Sequence, residues 1–169
     1  MLAFCKYSAL GWCGSTLKEA LAVEDIADEV VISAPADRVW KAIADPGEHV
    51  AWHPFATAID GQHALGEART CSVVIGGKPG TSQERCSAYE EGSAIMWAVE
   101  RDSTGFSRMV TDWRTGFSLQ PQGPGATLVR AQSLFRPRLP ARLMAPVIRR
   151  KFHQTQRAIL DGLRRHAER

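Results

Sequence analysis

Few side chains in this chain could do chemistry, and the pattern directs four of them, Glu84, Arg69, Arg101 and His53, toward a common interior. A carboxylate or imidazole beside a ketone can move a proton, and a guanidinium can steady the enolate that results. Glu84 and His53 are therefore the candidate catalytic groups. His49 and His53 stand four apart with Glu48 before the first. A zinc helix of the H-E-x-x-H kind needs its Glu after the first His and a third ligand elsewhere, so no metal is expected. There is no G-x-S-x-G, no P-loop and no G-x-G-x-x-G, and Gly76-Gly77-Lys78 lacks the spacing and following Ser or Thr of a phosphate cradle. No cofactor is expected. Cysteines at 5, 13, 71 and 86 form no C-x-x-C, which favours reduced thiols and a cytoplasmic protein. A hairpin centred near 78.5, on the turn residues 76–80, sets Cys71 opposite Cys86, with free thiols favoured over a bridge.

These residues must be positioned by elements that Gly and Pro punctuate. Residues 28–33 are short and β-branched and run into Ala34-Pro35, a strand handing over to a helix. Over 35–44 the apolar residues Val39, Trp40 and Ile43 recur at helical spacing until Asp45-Pro46-Gly47, and a second helical piece over 48–52 stops at His53-Pro54. Six strands follow, at about 55–60, 67–76, 81–90, 94–102, 107–120 and 125–135, separated by turn residues such as Asp60-Gly61 and Glu91-Gly92. Consecutive hairpins mean an antiparallel meander. After Pro137 and Pro140, the stripe Leu143, Met144, Val147, Ile148, Phe152, Ile159 and Leu163 marks one helix to about Arg165. Its other face carries Arg149, Arg150, Lys151, Arg157, Arg164 and Arg165. A curved antiparallel sheet with an apolar face and one long amphipathic helix has an economical solution, in which the sheet grips the helix. The expected class is α+β, helix-grip.

Hairpin parity then sorts the strand faces, because opposed residues share a face and the period is two. Cys71, Val73 and Ile75 share the inner face with Ser82, Glu84 and Cys86, and Arg69 joins them. Parity carried onward adds Ile95, Trp97, Val99 and Arg101, then Met109, Thr111, Trp113, Thr115, Phe117 and Leu119. Charges on such a face are costly unless paired or solvated. Either Arg and Glu neutralise one another, or a cavity for water and ligand lies there; the cavity is the favoured expectation.

Length and composition bound the rest. At 169 residues the chain is one domain, taken as 24–169 with an N-terminal extension over 1–23. That extension lacks a continuous apolar core of a signal peptide and reads as a short amphipathic piece that packs over something. With 44% hydrophobic and 23% charged residues, a core of its own is affordable, and a net charge of +3 is too weak to argue for nucleic acid. No apolar run approaches 18 residues, so a soluble chain without integral membrane segments is predicted. Oligomeric state is left open.

The stretch Val31-Ile32-Ser33-Ala34-Pro35 through Val39-Trp40 to Asp45-Pro46, followed by Trp52-His53-Pro54, resembles the opening of the START-like polyketide cyclase/dehydrase and lipid-transport group, to which the major birch pollen allergen also belongs. Glu84-Arg85-Cys86 leading to Met96-Trp97 is similar to its central hairpin, and the resemblance covers about residues 25–166. It implies a helix-grip fold around a cavity for lipids, sterols or polyketide-like molecules, with no metal or prosthetic group. The expected function is binding or carriage of a hydrophobic small molecule. The sheet would contribute Val73, Trp97, Val99, Trp113 and Phe117, the last helix Met144, Ile148 and Phe152, and the polar end Arg69, Glu84 or Arg101. The alternative is a cyclase or dehydratase using Glu84 or His53; a protein-interaction module on the basic helix face ranks below both.

Overall fold

The corner between two short helices is set by Asp45, whose side chain accepts hydrogen bonds from the Gly47 and Glu48 amides at 2.8 and 3.0 Å. It thereby caps helix α2 (Pro46–Trp52) immediately after α1 (Ala36–Ala44) has ended. Pro46 suits the first helical position, where its missing N–H costs nothing. In this computed structural model, which describes residues 23–169, strand β1 (Glu24–Ile32) precedes the two helices. Strands β2 (Ala56–Gly61), β3 (Ala68–Ile75), β4 (Lys78–Glu90), β5 (Ala94–Asp102), β6 (Val110–Pro121) and β7 (Thr127–Pro137) follow. They form one seven-stranded antiparallel sheet in the order β1-β7-β6-β5-β4-β3-β2. The chain thus has the α+β helix-grip architecture, with two short helices after the first strand. The N-terminal extension expected over 1–23 lies, but for Val23, outside the described residues.

Register corrects three of the expected neighbourhoods. The β3–β4 hairpin turns on Gly76 and Gly77, both at positive φ (59° and 76°), so Ile75 faces Lys78 and Cys71 faces Ser82 instead of Cys86. The expected centre lies two residues too far along, which moves each partner by four and leaves face parity intact. A bulge at Glu100 breaks parity on β5: Glu84 faces Val99, while Gln83 faces Arg101. One extra residue reverses the faces, so Arg101 is exposed on the outer side. A second irregularity lies between Thr111 and Arg114, where Asp112 takes φ 53°; Thr111 faces Arg136, and Val110 is buried in its place.

The final helical region is broken in two, α3 (Leu139–Leu143) and α4 (Ala145–Ala167). Pro146 has no N–H to continue the ladder from α3, and the helix restarts with it in the first turn. Of the expected stripe, Ile148 and Leu163 are buried and Phe152 and Ile159 half-buried, but Leu143, Met144 and Val147 are exposed. Polar side chains on the flank of α4 clamp it to β1. Arg149 donates twice to Glu24, while His153 and Arg157 both reach Asp28, at 2.6 and 3.0 Å. At the other end Gly162 abuts the Trp52 carbonyl, where a Cβ would stand 2.5 Å from the oxygen.

The apolar interior forms two clusters. One joins Ile32, Val39, Ile43, Trp52, Ile95, Trp97, Phe117 and Leu163; the other joins Ile26, Val110, Phe135, Ala141 and Ile148. Among the described residues no helix is long and apolar enough to cross a membrane.

Candidate functional site

The register that separates the cysteines brings the ions together, because Arg69 on β3 and Glu84 on β4 are direct partners. Arg69 Nε and Nη2 donate to Glu84 Oε2 at 2.8 and 2.6 Å, and both residues are only 7% exposed. A buried pair of this kind is tolerable only when its remaining valences are satisfied. Here each side-chain nitrogen and oxygen of the pair has at least one partner: Nη1 of Arg69 lies 2.7 Å from His63 Nε2, its guanidinium carbon sits 3.6 Å over the Trp97 ring, and the Ser82 hydroxyl donates to Glu84 Oε1. Pairing and cavity, posed as alternatives from the sequence, coexist.

Three imidazoles enclose this pair, and the groups around them dictate their tautomers. Arg69 can only donate, so His63 Nε2 accepts and its proton is on Nδ1, which donates to the Ile43 carbonyl at 3.2 Å. His49 Nδ1 shares that carbonyl at 3.1 Å. His53 is the reverse case: its Nδ1 accepts from the amides of Phe55 and Ala56 at 3.3 and 3.0 Å, which leaves the hydrogen on Nε2. Burial first, and then the Arg69 charge, push the His53 and His63 imidazoles down to about 4. Burial also holds His49 well below its ordinary value. All three are neutral at pH 7. Burial, aided by Glu84, raises the Cys71 thiol to about 12, so it is no thiolate nucleophile. His49 and His53 stack at 5.2 Å between ring centroids, a parallel arrangement that does not converge on one ion.

Between this network, the inner sheet face and α4 lies a cavity of about 170 Å³. Its walls include Phe55, Ile59, Val73, Trp97, Phe117, Phe152 and Ile159, with Arg69, Glu84, His49 and His53 at the polar network and Trp113, Ser133, Thr155 and Gln156 elsewhere on the wall. A cavity of roughly 150 Å³ holds one benzene ring, so this space takes a guest of about that size. Gln156 donates from Nε2 to the Ile26 carbonyl at 2.9 Å, but its Oε1 and the Trp113 indole N–H have no partner among the described residues.

Of the residues expected from the sequence, His53, Arg69, Val73, Glu84, Trp97, Trp113, Phe117 and Phe152 line this one space. Four do not. Arg101 faces outward, Met144 is 50% exposed at the start of α4, Ile148 packs into the second apolar cluster, and half-buried Val99 lies outside the wall. His49 and Gln156 on the wall, and His63 against Arg69 behind it, are members of the site that the pattern does not predict. Gln156 carried a signal, a polar residue four positions after Phe152 on the apolar stripe. His63 carried none, since it sits in a loop without periodicity.

Residues 24–168 match the family described as polyketide cyclase/dehydrase and lipid transport. The chain belongs to that family. Among curated proteins no sequence matches it significantly. Solved structures share the fold at low identity. A START superfamily protein from Mycobacterium smegmatis superposes with a TM-score of 0.71 at 18% identity, over 85% of this chain and 97% of that one. The Zhui aromatase/cyclase from a Streptomyces species gives 0.70 at 18%, over 87% and 94%. Norcoclaurine synthase from Thalictrum flavum, in complex with dopamine and hydroxybenzaldehyde, gives 0.67 at 15%, over 94% and 95%.

Proposed function

We propose that this family member binds a small apolar molecule, about one ring in size, between its sheet and α4, as a carrier or sensor. The observation that carries the reading is the cavity of about 170 Å³ with a predominantly aromatic and aliphatic wall. Because Arg69 and Glu84 neutralise each other, a charged ligand end gains little there. A neutral hydroxyl or carbonyl facing His53 Nε2–H suits the polar wall better. The membership of the family and its fold neighbours, one of which holds phenolic ligands, support this class of ligand. Native mass spectrometry of the protein purified without detergent tests it. A small apolar compound retained at near one-to-one is the expected result; an empty protein that also refuses a panel of phenols and alkylbenzenes overturns it.

One observation favours a second reading as a cyclase or dehydratase, namely the neutral His53 imidazole on the cavity wall. In its fixed tautomer His53 donates a hydrogen bond from Nε2–H, so it would polarise a substrate carbonyl and steady the enolate that forms, keeping its own proton. Glu84 suits the base role poorly, since both its oxygens already accept hydrogen bonds. Under this reading His53→Leu, which removes the donor, abolishes turnover of a poly-β-ketone substrate while ligand binding persists; unchanged turnover sinks it.

A further inference from the structure

Away from the cavity, the corner where α3 meets α4 has a surface that the fold does not use. Four of the nine large apolar side chains exposed among the described residues fall within this corner: Leu139 (78%), Leu143 (90%), Met144 (50%) and Val147 (52%). The other five are scattered singly or as the pair Val74 and Ile75. Ala141 and Ile148 face the opposite way and anchor the corner to Phe135 and Val110, so the outward residues are presented on a fixed support. From 136 to 151 the sequence holds six cations and no acid. Arg136 and Arg149 are paired with Asp112 and Glu24, while Arg138, Arg142, Arg150 and Lys151 have no ion-pair partner among the described residues.

We infer that this corner docks on an anionic lipid bilayer. Apolar side chains projecting from a cationic ridge are what an interfacial surface requires, the first entering the acyl boundary and the second meeting anionic headgroups. Charge decides against the other occupants. A second copy would oppose one cationic ridge to another. Residues 1–22 carry Lys6, Lys18 and Glu19, with no negative excess to complement the corner. From this corner α4 runs on to Phe152, the first of its side chains on the cavity wall, so a docked protein has its ligand chamber at the bilayer surface.

The test is co-sedimentation of the full chain with vesicles of phosphatidylcholine, alone or with about 30% phosphatidylglycerol. Binding to the anionic vesicles is expected to be at least about tenfold the stronger and to fade at about 0.5 M salt, where the Debye length is only a few ångströms. Leu143→Asp and Arg142→Glu, both at exposed positions, are each expected to reduce binding about tenfold with an unchanged circular dichroism spectrum. Arg165→Glu, exposed at the far end of α4, is expected to leave it unchanged. Equal binding to both vesicle types, binding to neither, or full binding by both corner variants overturns the inference. So does a dimer in light scattering that Leu143→Asp abolishes, which assigns the ridge to a second copy. Protection of Leu143→Cys from a thiol reagent without vesicles assigns it to another segment of this chain, with the same consequence.

Discussion

The two polar parts of the cavity wall are built on different terms. Around Arg69 the ions are matched, although the Trp97 indole N–H beside them has no partner among the described residues: Glu84 takes two guanidinium hydrogens, His63 a third, and Ser82 caps the remaining carboxylate oxygen. Around Trp113 and Gln156, one indole N–H and one amide oxygen have no partner among the described residues. A saturated network cannot be altered without leaving something buried and unpaired, whereas an unsaturated one has capacity to spare for a guest. The first region holds the cavity's shape; the second leaves two polar atoms unpaired.

The largest effect is expected at the saturated end. Arg69→Met leaves the Glu84 carboxylate buried and unpaired and should cost about 3–5 kcal/mol in urea denaturation. The double variant Arg69→Met/Glu84→Met should recover most of that loss, because two apolar side chains need no partners. If the single variant is as stable as the parent, the saturated network is not what holds this end together.

At the other end the costs are smaller. Gln156→Leu loses the bond to the Ile26 carbonyl and should cost about 1–2 kcal/mol, while Trp113→Phe removes an already unpaired donor and should cost less than about 1 kcal/mol. Ligand affinity should respond in the opposite proportion, with Trp113→Phe weakening a hydroxyl-bearing guest more than it weakens the fold. Equal stability losses at both positions would erase the contrast between the two ends.

Acid sharpens the same contrast. His53 and His63 are depressed to about 4 in the folded protein, against about 6.5 when unfolded, so on acidification the unfolded chain takes up protons first. Their stabilisation is complete above about pH 6.5 and is lost as pH falls toward 4. The melting temperature should therefore decline by several degrees across that window, and His63→Gln should flatten the decline. A decline confined below pH 4.5 would point instead to Glu48, which Arg38 holds at about 2.

Much of this was legible in the sequence, and the exceptions have physical causes. Every strand after the helices could be placed because turn residues and period-two alternation mark it, and parity survived even a misplaced hairpin centre. What failed was parity across bulges. Glu100 and Asp112 each insert a residue that no local pattern marks, and the first turns Arg101 outward. Met144 failed for another reason: its spacing is helical, but Pro146 restarts the helix and leaves the corner facing solvent. His63 could not be found, because its place beside Arg69 depends on a loop returning over β3.

The central claim is that a single-ring guest occupies the space between sheet and α4, and Trp97 and Trp113 on its wall report on it directly. The decisive measurement is a tryptophan-fluorescence titration with a size series of phenols, from one ring to three, on the parent and on Val73→Trp, which fills the cavity. The account predicts saturable quenching strongest for the one-ring compounds, with that size preference lost in the filled variant. Equal affinity across the series, or an undiminished one-ring response in the filled variant, would contradict it.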